Sequence, residues 1–298
     1  MSGSYSMYSV ILLCTGGTEI LSQKLVNSVY SSMDGQNLSW LCDDEAVCFD
    51  VEKKSTAYYE IWSQLQHIKI DMVFQKKENH FKSLLLADMD STMIEQECID
   101  ELADMCGVGS EVKKITTRAM NGELGFHDAL NERVSLLAQC PTSVVEQVLE
   151  KRITLRSGGK TLVSTMKANG AYTALVSGGF TAFSIPIGTN LGFDEQHANI
   201  LVEENGVFTG KVAEPILGKN EKVNQLNRLV KERGLMHSDV LAVGDGANDL
   251  GMLAIAGIGV AMHAKPIVAE KCDIVINHCD LSSLLYLQGY KKEDFVST

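Results

Sequence analysis

The stretch Leu84-Leu85-Leu86-Ala87-Asp88-Met89-Asp90-Ser91-Thr92 decides the fold, because a short apolar run passes directly into two carboxylates and two hydroxyls. A short apolar run of this kind is typical of a buried strand. Alternate residues leaving a strand point the same way, so Asp88 and Asp90 are expected to face one small volume beyond its carboxyl end, where open α/β sheets bind ligands. Two close carboxylates repel each other unless a cation relieves them, and a hard cation such as Mg²⁺ prefers oxygen ligands. The stretch therefore predicts a strand that ends in a cation site.

The same region has a simpler interpretation. The segment Thr92-Met93-Ile94-Glu95 has the hydroxyl-to-carboxylate spacing of a capping box, which predicts a helix starting directly after the strand. In that case the two aspartates belong to an acidic turn. An Asp-x-Asp pair is too short to decide between the two interpretations, and the decision depends on the rest of the chain.

Length, composition and charge indicate a soluble globular protein of about two domains. The chain has 298 residues, of which 45% are hydrophobic and 21% are charged, as in ordinary globular proteins. Its formal net charge is -12 and it has no long basic run. Nucleic acid and anionic membranes are therefore poor partners. If such an acidic protein handles an anion, individual Lys and Arg residues must concentrate positive charge at the site.

The cysteines and the first apolar run bear on the cellular compartment of the protein. The eight cysteines are scattered without a Cys-x-x-Cys pair, which argues against a zinc or dithiol site and predicts reduced thiols in a cytoplasmic protein. The first apolar run has no basic start, and no stretch approaches 18 apolar residues. Neither a signal peptide nor a membrane span is expected.

Residues 1–80 are predicted to form a small α+β domain. The apolar pattern indicates two helices, over 18–30 and 56–67, and four strands, near 8–14, 39–41, 46–51 and 68–74. This βαββαβ order is typical of the small sandwiches used as regulatory ligand-binding domains. The segment holds no acidic or nucleophilic constellation, so a regulatory part is predicted for it.

Residues 81–298 are predicted to form an α/β core. From about 95 to 155 the pattern is helical and polar without a convincing strand, which indicates a helical cap inserted after the first strand. Beyond it, strands near 172–176, 240–243, 258–262 and 273–276 alternate with helices, one of them over 221–233. A hairpin is predicted around Glu204-Asn205-Gly206. This alternation predicts a doubly wound, mainly parallel sheet.

Polar groups follow three of the predicted strands. Asp88 and Asp90 follow the first, Ser177-Gly178-Gly179 follows the second, and Asp245 follows the third within Gly-Asp-Gly. Because the carboxyl ends of parallel strands share one edge, Asp245 can complete a cation site with Asp88. The Ser177 hydroxyl and the glycine amides can bind an anion closely. Taken singly, Ser177 would be a strand-end cap and Asp245 a turn residue.

Three motifs occur in order along the chain: Asp88-Met89-Asp90-Ser91-Thr92, Val176-Ser177-Gly178-Gly179-Phe180 and Val243-Gly244-Asp245-Gly246-Ala247-Asn248-Asp249. Together they resemble the motifs of haloacid-dehalogenase-type phosphatases and, more narrowly, of the phosphoserine phosphatase family. The resemblance covers roughly residue 84 to the end. It implies a Rossmann-like core with a helical cap and an Mg²⁺-dependent phosphomonoester hydrolase.

The resemblance also implies roles for the residues around the phosphate. Asp88 matches the family nucleophile, which forms an aspartyl phosphate. Asp90 matches the acid that protonates the leaving oxygen and then activates water. Ser177 and Gly178 match the phosphate-binding pair, and Lys222 matches the lysine on the helix before the third motif.

The resemblance also bears on the choice of lysine and on the metal ligands. Lys219 lies near Lys222 and competes with it for the lysine role. Asn248 and Asp249 match residues that support the third motif, and Asn248 is also counted with the substrate-binding residues. The implied Mg²⁺ ligands are Asp88, Asp90 and Asp245.

Within the helical block the resemblance points to residues that select the substrate. Glu97 and Arg133 match residues that hold an ammonium and a carboxylate group, and Met120 and Phe126 match apolar residues that close over the substrate. Without the resemblance, Glu97 and Arg133 would be solvated surface charges. The implied reaction is hydrolysis of O-phospho-L-serine to L-serine and phosphate, the last step of serine biosynthesis, by a cytoplasmic enzyme. A homodimer is left open.

Three other functions compete with this one. A related phosphatase or phosphotransferase for another small phosphorylated metabolite differs only in the residues of the helical block. A non-catalytic amino-acid sensor built on residues 1–80 would have no need of the three motifs. A metal-dependent nucleotide-sugar transferase would use an Asp-x-Asp pair but would leave the second and third motifs unexplained.

Overall fold

The computed structural model describes residues 7–17, 20–77, 81–120, 123–218 and 220–297, without the side chain of Met120. The chain packs into two compact units. The first comprises Met1–Leu85, Ser157–Tyr172 and Leu235–Thr298, and the second comprises Leu86–Arg156 and Thr173–Gly234. The predicted domains, residues 1–80 and 81–298, are each one continuous stretch, whereas both of these units combine separate stretches of the chain. The division into those two domains stays a prediction.

The N-terminal part of the first unit has the βαββαβ order that the sequence predicts. Its elements are β1 (Tyr8–Leu13), α1 (Gln23–Ser32), β2 (Gln36–Cys42), β3 (Ala46–Val51), α2 (Tyr58–His67) and β4 (Asp71–Lys76). The strands form an antiparallel sheet in the order β2-β3-β1-β4. The first helix begins five residues later than predicted, because Ser22 is its N-cap and accepts the Leu25 N–H.

Asp71 ties this N-terminal sheet to the C-terminal part of the first unit. Its carboxylate is fully buried and accepts three backbone N–H groups, those of Asn277, His278 and Cys279, at 2.9, 3.0 and 3.0 Å. A buried carboxylate requires such partners to offset its lost hydration. The contact joins the N-terminal sheet to residues 277–279 within the first unit.

A parallel sheet of six strands confirms the predicted α/β class. Its order is β12-β11-β10-β5-β6-β7. The strands are β5 (Leu84–Ala87), β6 (Tyr172–Phe180), β7 (Glu195–Asn199), β10 (Val240–Gly244), β11 (Ile258–Met262) and β12 (Ile274–Ile276). All four residues of β5 are fully buried, as its unbroken apolar run predicts. The antiparallel hairpin of β8 (Leu201–Glu204) and β9 (Val207–Val212) is also where the sequence places it.

Ten helices follow β5 in the described part of the chain. They are α3 (Cys98–Met105), α4 (Gly109–Met120), α5 (Phe126–Ser135), α6 (Val144–Lys151), α7 (Gly159–Ala168), α8 (Thr181–Leu191), α9 (Glu221–Arg233), α10 (Leu250–Ile255), α11 (Pro266–Ala269) and α12 (Ser283–Tyr286). The first four form the predicted helical block, hereafter the helical segment (α3–α6). Helix α8 was not predicted, because Pro186 lies inside it and its apolar residues form no single stripe. Within the described ranges, none of the helices combines the length and apolar character of a membrane span.

Two cysteines correct the prediction of eight reduced thiols. Cys106, the C-cap of α3, and Cys140, just before Pro141, form a disulfide. Their Cα atoms lie 5.8 Å apart although 34 residues separate them in the chain, and spacing alone does not reveal that proximity. The other six cysteines take no part in a disulfide.

Candidate active site

Asp88 and Lys222 form a buried ion pair at the carboxyl end of β5. Lys222 lies in the first turn of α9, and its Nζ is 2.5 Å from Asp88 Oδ1. The same oxygen accepts the Met89 N–H at 2.8 Å. Both charged side chains are more than 90% buried, so each provides the compensation that the other needs. Of the two candidate lysines, Lys222 is therefore the one beside Asp88, whereas Lys219 lies outside the described residues.

Asp90 joins the strand end to the start of the helical segment. Its Oδ1 accepts the Cys98 N–H at 2.8 Å, and its Oδ2 accepts the Ser177 hydroxyl at 3.0 Å. Cys98 is the first residue of α3, so Asp90 accepts one of the N–H groups that have no partner within the helix. The capping box predicted from Thr92 to Glu95 is therefore wrong, because the helix begins only at Cys98.

Ser177 and the following glycines lie at the end of β6, beside Asp90. The Ser177 Oγ accepts the Gly179 N–H at 2.8 Å while it donates to Asp90. A Cβ added at Gly179 would lie 2.7 Å from Asp90 Oδ2, which is too close for any other residue. Glycine is needed there because the backbone approaches the carboxylate directly.

Asn199 is a structural support that the sequence analysis missed. Its side chain is almost fully buried, and its Nδ2 donates to the Gly178 carbonyl at 2.9 Å. The Leu217 N–H donates to its Oδ1 at 2.7 Å. Asn199 thus fastens the second motif to the segment that leads into α9 and Lys222. A single asparagine at a strand end carries no distinctive sequence signal.

Phe126, the first residue of α5, faces the second motif. A Cβ built at Gly178 would lie 3.8 Å from the Phe126 ring, and one built at Gly218 would also lie 3.8 Å from it. The structure therefore places this apolar side chain of the helical segment against the predicted phosphate-binding glycine. The predicted partner of Phe126, Met120, has a side chain outside the described residues.

Arg133 and Glu97 are the charged residues predicted to select the substrate. Burial lowers the pKa of Arg133 from its usual value, and the carboxylates of Asp100, Glu97 and Asp90 act in the opposite direction. The guanidinium therefore lies in the field of both the Glu97 and Asp90 carboxylates. Its Nε donates to the Ala129 carbonyl one helical turn earlier, at 3.1 Å. Glu97 accepts the Ser91 hydroxyl through Oε1 at 3.0 Å.

The third motif forms a compact acidic turn after β10. The Gly246 N–H donates to Asp249 Oδ2 at 2.9 Å, and the Asn248 side-chain oxygen lies against Gly246. The Lys265 ammonium lies 3.8 Å from Asp245 Oδ2. Asp245 and Asp249 are both buried.

Three buried carboxylates offer ligand atoms for a cation. One oxygen from each of Asp88, Asp245 and Asp249 lies within 4.8 Å of the others. Asp90, a predicted ligand, is not a member of this group, and Asp249, predicted only to support the loop, is. An all-oxygen, acidic donor set fits a hard divalent cation and not a soft metal. The chemistry of the residues therefore fits a divalent metal.

Comparison with known proteins agrees with the site. Residues 85–254 match the family model for haloacid dehalogenase-like hydrolases. A phosphoserine phosphatase from Methanocaldococcus jannaschii is 44% identical over 204 residues, which are 68% of this chain and 96% of that protein. One from Archaeoglobus fulgidus is 41% identical over 223 residues, which are 74% of this chain and 64% of that protein. The chain thus spans just under two thirds of the length of the Archaeoglobus fulgidus protein.

Two solved structures have the same fold. A haloacid-dehalogenase-family hydrolase from Salmonella enterica serovar Typhi superposes with a TM-score of 0.84 at 28% identity, over 94% of this chain and 98% of that one. A substrate-bound phosphoserine phosphatase complex superposes with a TM-score of 0.64 at 43% identity, over 69% of this chain and 97% of that one. The first likeness extends to the N-terminal sheet, because it covers nearly the whole chain.

Proposed function

Because the chain belongs to the haloacid dehalogenase-like hydrolases, we propose that it hydrolyses O-phospho-L-serine to L-serine and phosphate, as the last step of serine biosynthesis. The observation that carries the proposal is the buried Asp88–Lys222 pair beside the Asp90–Ser177 hydrogen bond. The relatives at 41–44% identity that are named phosphoserine phosphatases support the choice of substrate. The activity itself is a phosphomonoester hydrolysis.

In the first step, an Asp88 carboxylate oxygen attacks phosphorus and the bond from phosphorus to the serine oxygen breaks. A carboxylate nucleophile divides one difficult displacement into two easier ones. Lys222 and the Met89 N–H hold Asp88 Oδ1, which fixes the orientation of the carboxylate. The product of the step is an aspartyl phosphate on Asp88.

Asp90 supplies the proton that the departing serine oxygen needs. Because the Cys98 N–H occupies Oδ1, Oδ2 is the oxygen that carries this proton, with the Ser177 hydroxyl beside it. In the second step the ionised Asp90 takes a proton from water, and the hydroxide formed attacks phosphorus and restores Asp88. General acid and base catalysis by one residue in this way is worth about 10²–10⁴-fold.

Positive and polar groups stabilise the phosphoryl group during transfer. We assign this role to the Lys222 ammonium, the Ser177 hydroxyl and the backbone at Gly178. Phosphoryl transfer depends chiefly on such positioning and charge stabilisation. The Asn199–Gly178 hydrogen bond keeps that backbone in place.

Mg²⁺ is the proposed cofactor. Asp88, Asp90 and Asp245 are its proposed ligands, and Asp249 joins them on the strength of the acidic group it forms with Asp88 and Asp245. Asn248, packed on Gly246, supports this turn. When bound, the cation neutralises the repulsion between a carboxylate nucleophile and an anionic phosphate.

The helical segment is proposed to act as the cap, over about residues 95–155, that recognises the rest of the substrate. Arg133 can grip the carboxylate with two parallel hydrogen bonds, and Glu97 can pair with the ammonium. Phe126, packed against Gly178, and Met120 would close over the site and exclude water. Residues 1–80 are proposed to be a regulatory-type domain, and the cytoplasm is the proposed location.

Phosphate release from a panel of small phosphorylated metabolites, each with and without Mg²⁺, tests the proposal. We expect O-phospho-L-serine to have the highest kcat/KM, and turnover to require the metal. A different preferred metabolite would indicate the related phosphatase that remains the second candidate. Absence of phosphate release from every substrate would overturn the enzymatic function.

A further inference from the structure

Ser91, to which the proposed mechanism gives no part, has a backbone conformation that disfavours serine. Its φ is +56°, in the left-handed region that costs free energy for any residue with a Cβ. Such conformations persist where the surrounding contacts fix them, and they cluster at functional sites. Ser91 directly follows Asp90, so its conformation bears on the site.

Both backbone polar groups of Ser91 have defined partners. Its N–H donates to the Gln96 carbonyl at 3.1 Å, and its carbonyl accepts the Arg156 Nη2 at 2.9 Å. Arg156 lies five residues beyond the end of α6, where its own N–H donates to the Met93 carbonyl at 2.9 Å. An isolated bridge between Ile94 and Leu155 pairs the same two chain segments. These contacts hold Ser91 in its left-handed conformation.

The hydroxyl of Ser91 is thereby directed at Glu97. Its Oγ donates to Glu97 Oε1 at 3.0 Å. Glu97 is the N-cap of α3, and its side chain makes no cap hydrogen bond with the helix. The Glu97 carboxylate therefore does not cap α3, and its hydrogen bond with the Ser91 hydroxyl restricts its rotation.

We infer that Ser91 is a positioning residue that orients the Glu97 carboxylate towards the ammonium group of the substrate. The inference rests on the proposed function, since it deepens the account of how phosphoserine is selected. A hydrogen bond to a charged group is worth about a ten- to hundredfold change in an equilibrium constant. Loss of the hydroxyl should therefore weaken recognition of the ammonium by about that factor, chiefly through KM.

The test compares two substrates in matched variants. Ser91→Ala removes the hydroxyl, and Ser91→Gly removes it while also relieving the left-handed backbone. The control is Ser110→Ala, because Ser110 also donates to a glutamate, Glu111 Oε2 at 2.8 Å, but on the exposed face of the helical segment. O-phospho-L-serine carries the ammonium, whereas p-nitrophenyl phosphate lacks it.

Both Ser91 variants should lose about ten- to hundredfold in kcat/KM for phosphoserine, and much less for p-nitrophenyl phosphate. The Ser110 control should keep the wild-type ratio between the two substrates. In a Glu97→Ala background, Ser91→Ala should cause no further loss on phosphoserine, because the two residues act through one interaction.

Equal losses on both substrates would overturn the inference, because they would assign Ser91 to the fold or to the phosphate. A full additional loss in the Glu97→Ala background would overturn it as well. Failure of the proposed function is recognised separately, since the wild-type protein would then show no preference for phosphoserine before any variant is made.

Discussion

The residues proposed for the phosphate chemistry and those proposed for substrate selection are held in very different ways. Asp88, Ser177 and Lys222 are at least 95% buried, and each has a partner within 3.0 Å. Glu97 and Arg133, in the helical segment, are only partly buried. The chemical groups are thus held in place by contacts within the protein, whereas the selecting charges keep access to water.

Electrostatics explains this difference. A charge removed from water needs a close partner, and Asp88 and Lys222 provide one for each other. A partly exposed guanidinium can exchange water for a substrate carboxylate when one arrives. Substitutions at the buried residues should therefore abolish turnover of every substrate. Substitutions in the helical segment should change which substrate has the highest kcat/KM.

The largest expected effect follows Asp88→Asn. The amide keeps the shape of the side chain but cannot attack phosphorus, so turnover should fall by about 10⁴-fold or more on every substrate. Single-turnover and steady-state phosphate release measure it, and circular dichroism checks the fold. Purified variant with more than a few per cent of wild-type activity would contradict a covalent intermediate on Asp88.

Removal of divalent metal should have the next largest effect. Charge stabilisation by such a cation is worth several kcal/mol, or about 10³-fold or more in rate. Excess EDTA should abolish turnover of both phosphoserine and p-nitrophenyl phosphate, and added Mg²⁺ should restore it. Ca²⁺ should restore little, because it takes more ligands at longer distances. Full activity in EDTA would exclude a metal role for the acidic group.

Asp90→Asn should be less damaging than either. An asparagine can still accept the Cys98 N–H but cannot donate a proton to the leaving oxygen, which predicts a fall in kcat of about 10²–10⁴-fold. The p-nitrophenolate group leaves without a proton, so its first step should suffer less. Pre-steady-state bursts with the two substrates separate these steps. An unchanged kcat on phosphoserine would remove Asp90 from the mechanism.

The buried residues could be predicted from the sequence because their signals are local. The apolar run before Asp88 predicts β5, and the position of Asp88 after it places the carboxylate at the sheet edge. Helix α9 begins and ends at the predicted residues, Glu221 and Arg233, because its apolar stripe and Gly234 define it.

The remaining features depend on contacts between distant parts of the chain. Asn199 supports Gly178 across 21 residues, and Arg156 supports Ser91 across 65. Neither contact leaves a periodic or motif-like signal. The start of α3 has no local signal either, because its N-cap residue Glu97 makes no cap hydrogen bond and its first amide donates to Asp90, eight residues earlier.

The smallest effect, and the one that tests the comparison most directly, is expected for Arg133→Ala. Phosphoserine offers a carboxylate to the guanidinium, whereas p-nitrophenyl phosphate offers none. Because Arg133 is only partly buried, the low end of the usual range applies, about 2 kcal/mol or about 30-fold in kcat/KM for phosphoserine. Arg118→Ala is the matched control, since Arg118 pairs with Glu132 on the exposed side of the same segment. If Arg133→Ala instead lowered kcat/KM equally for both substrates, Arg133 would belong with the phosphate-side residues, and substrate selection would have to be sought elsewhere.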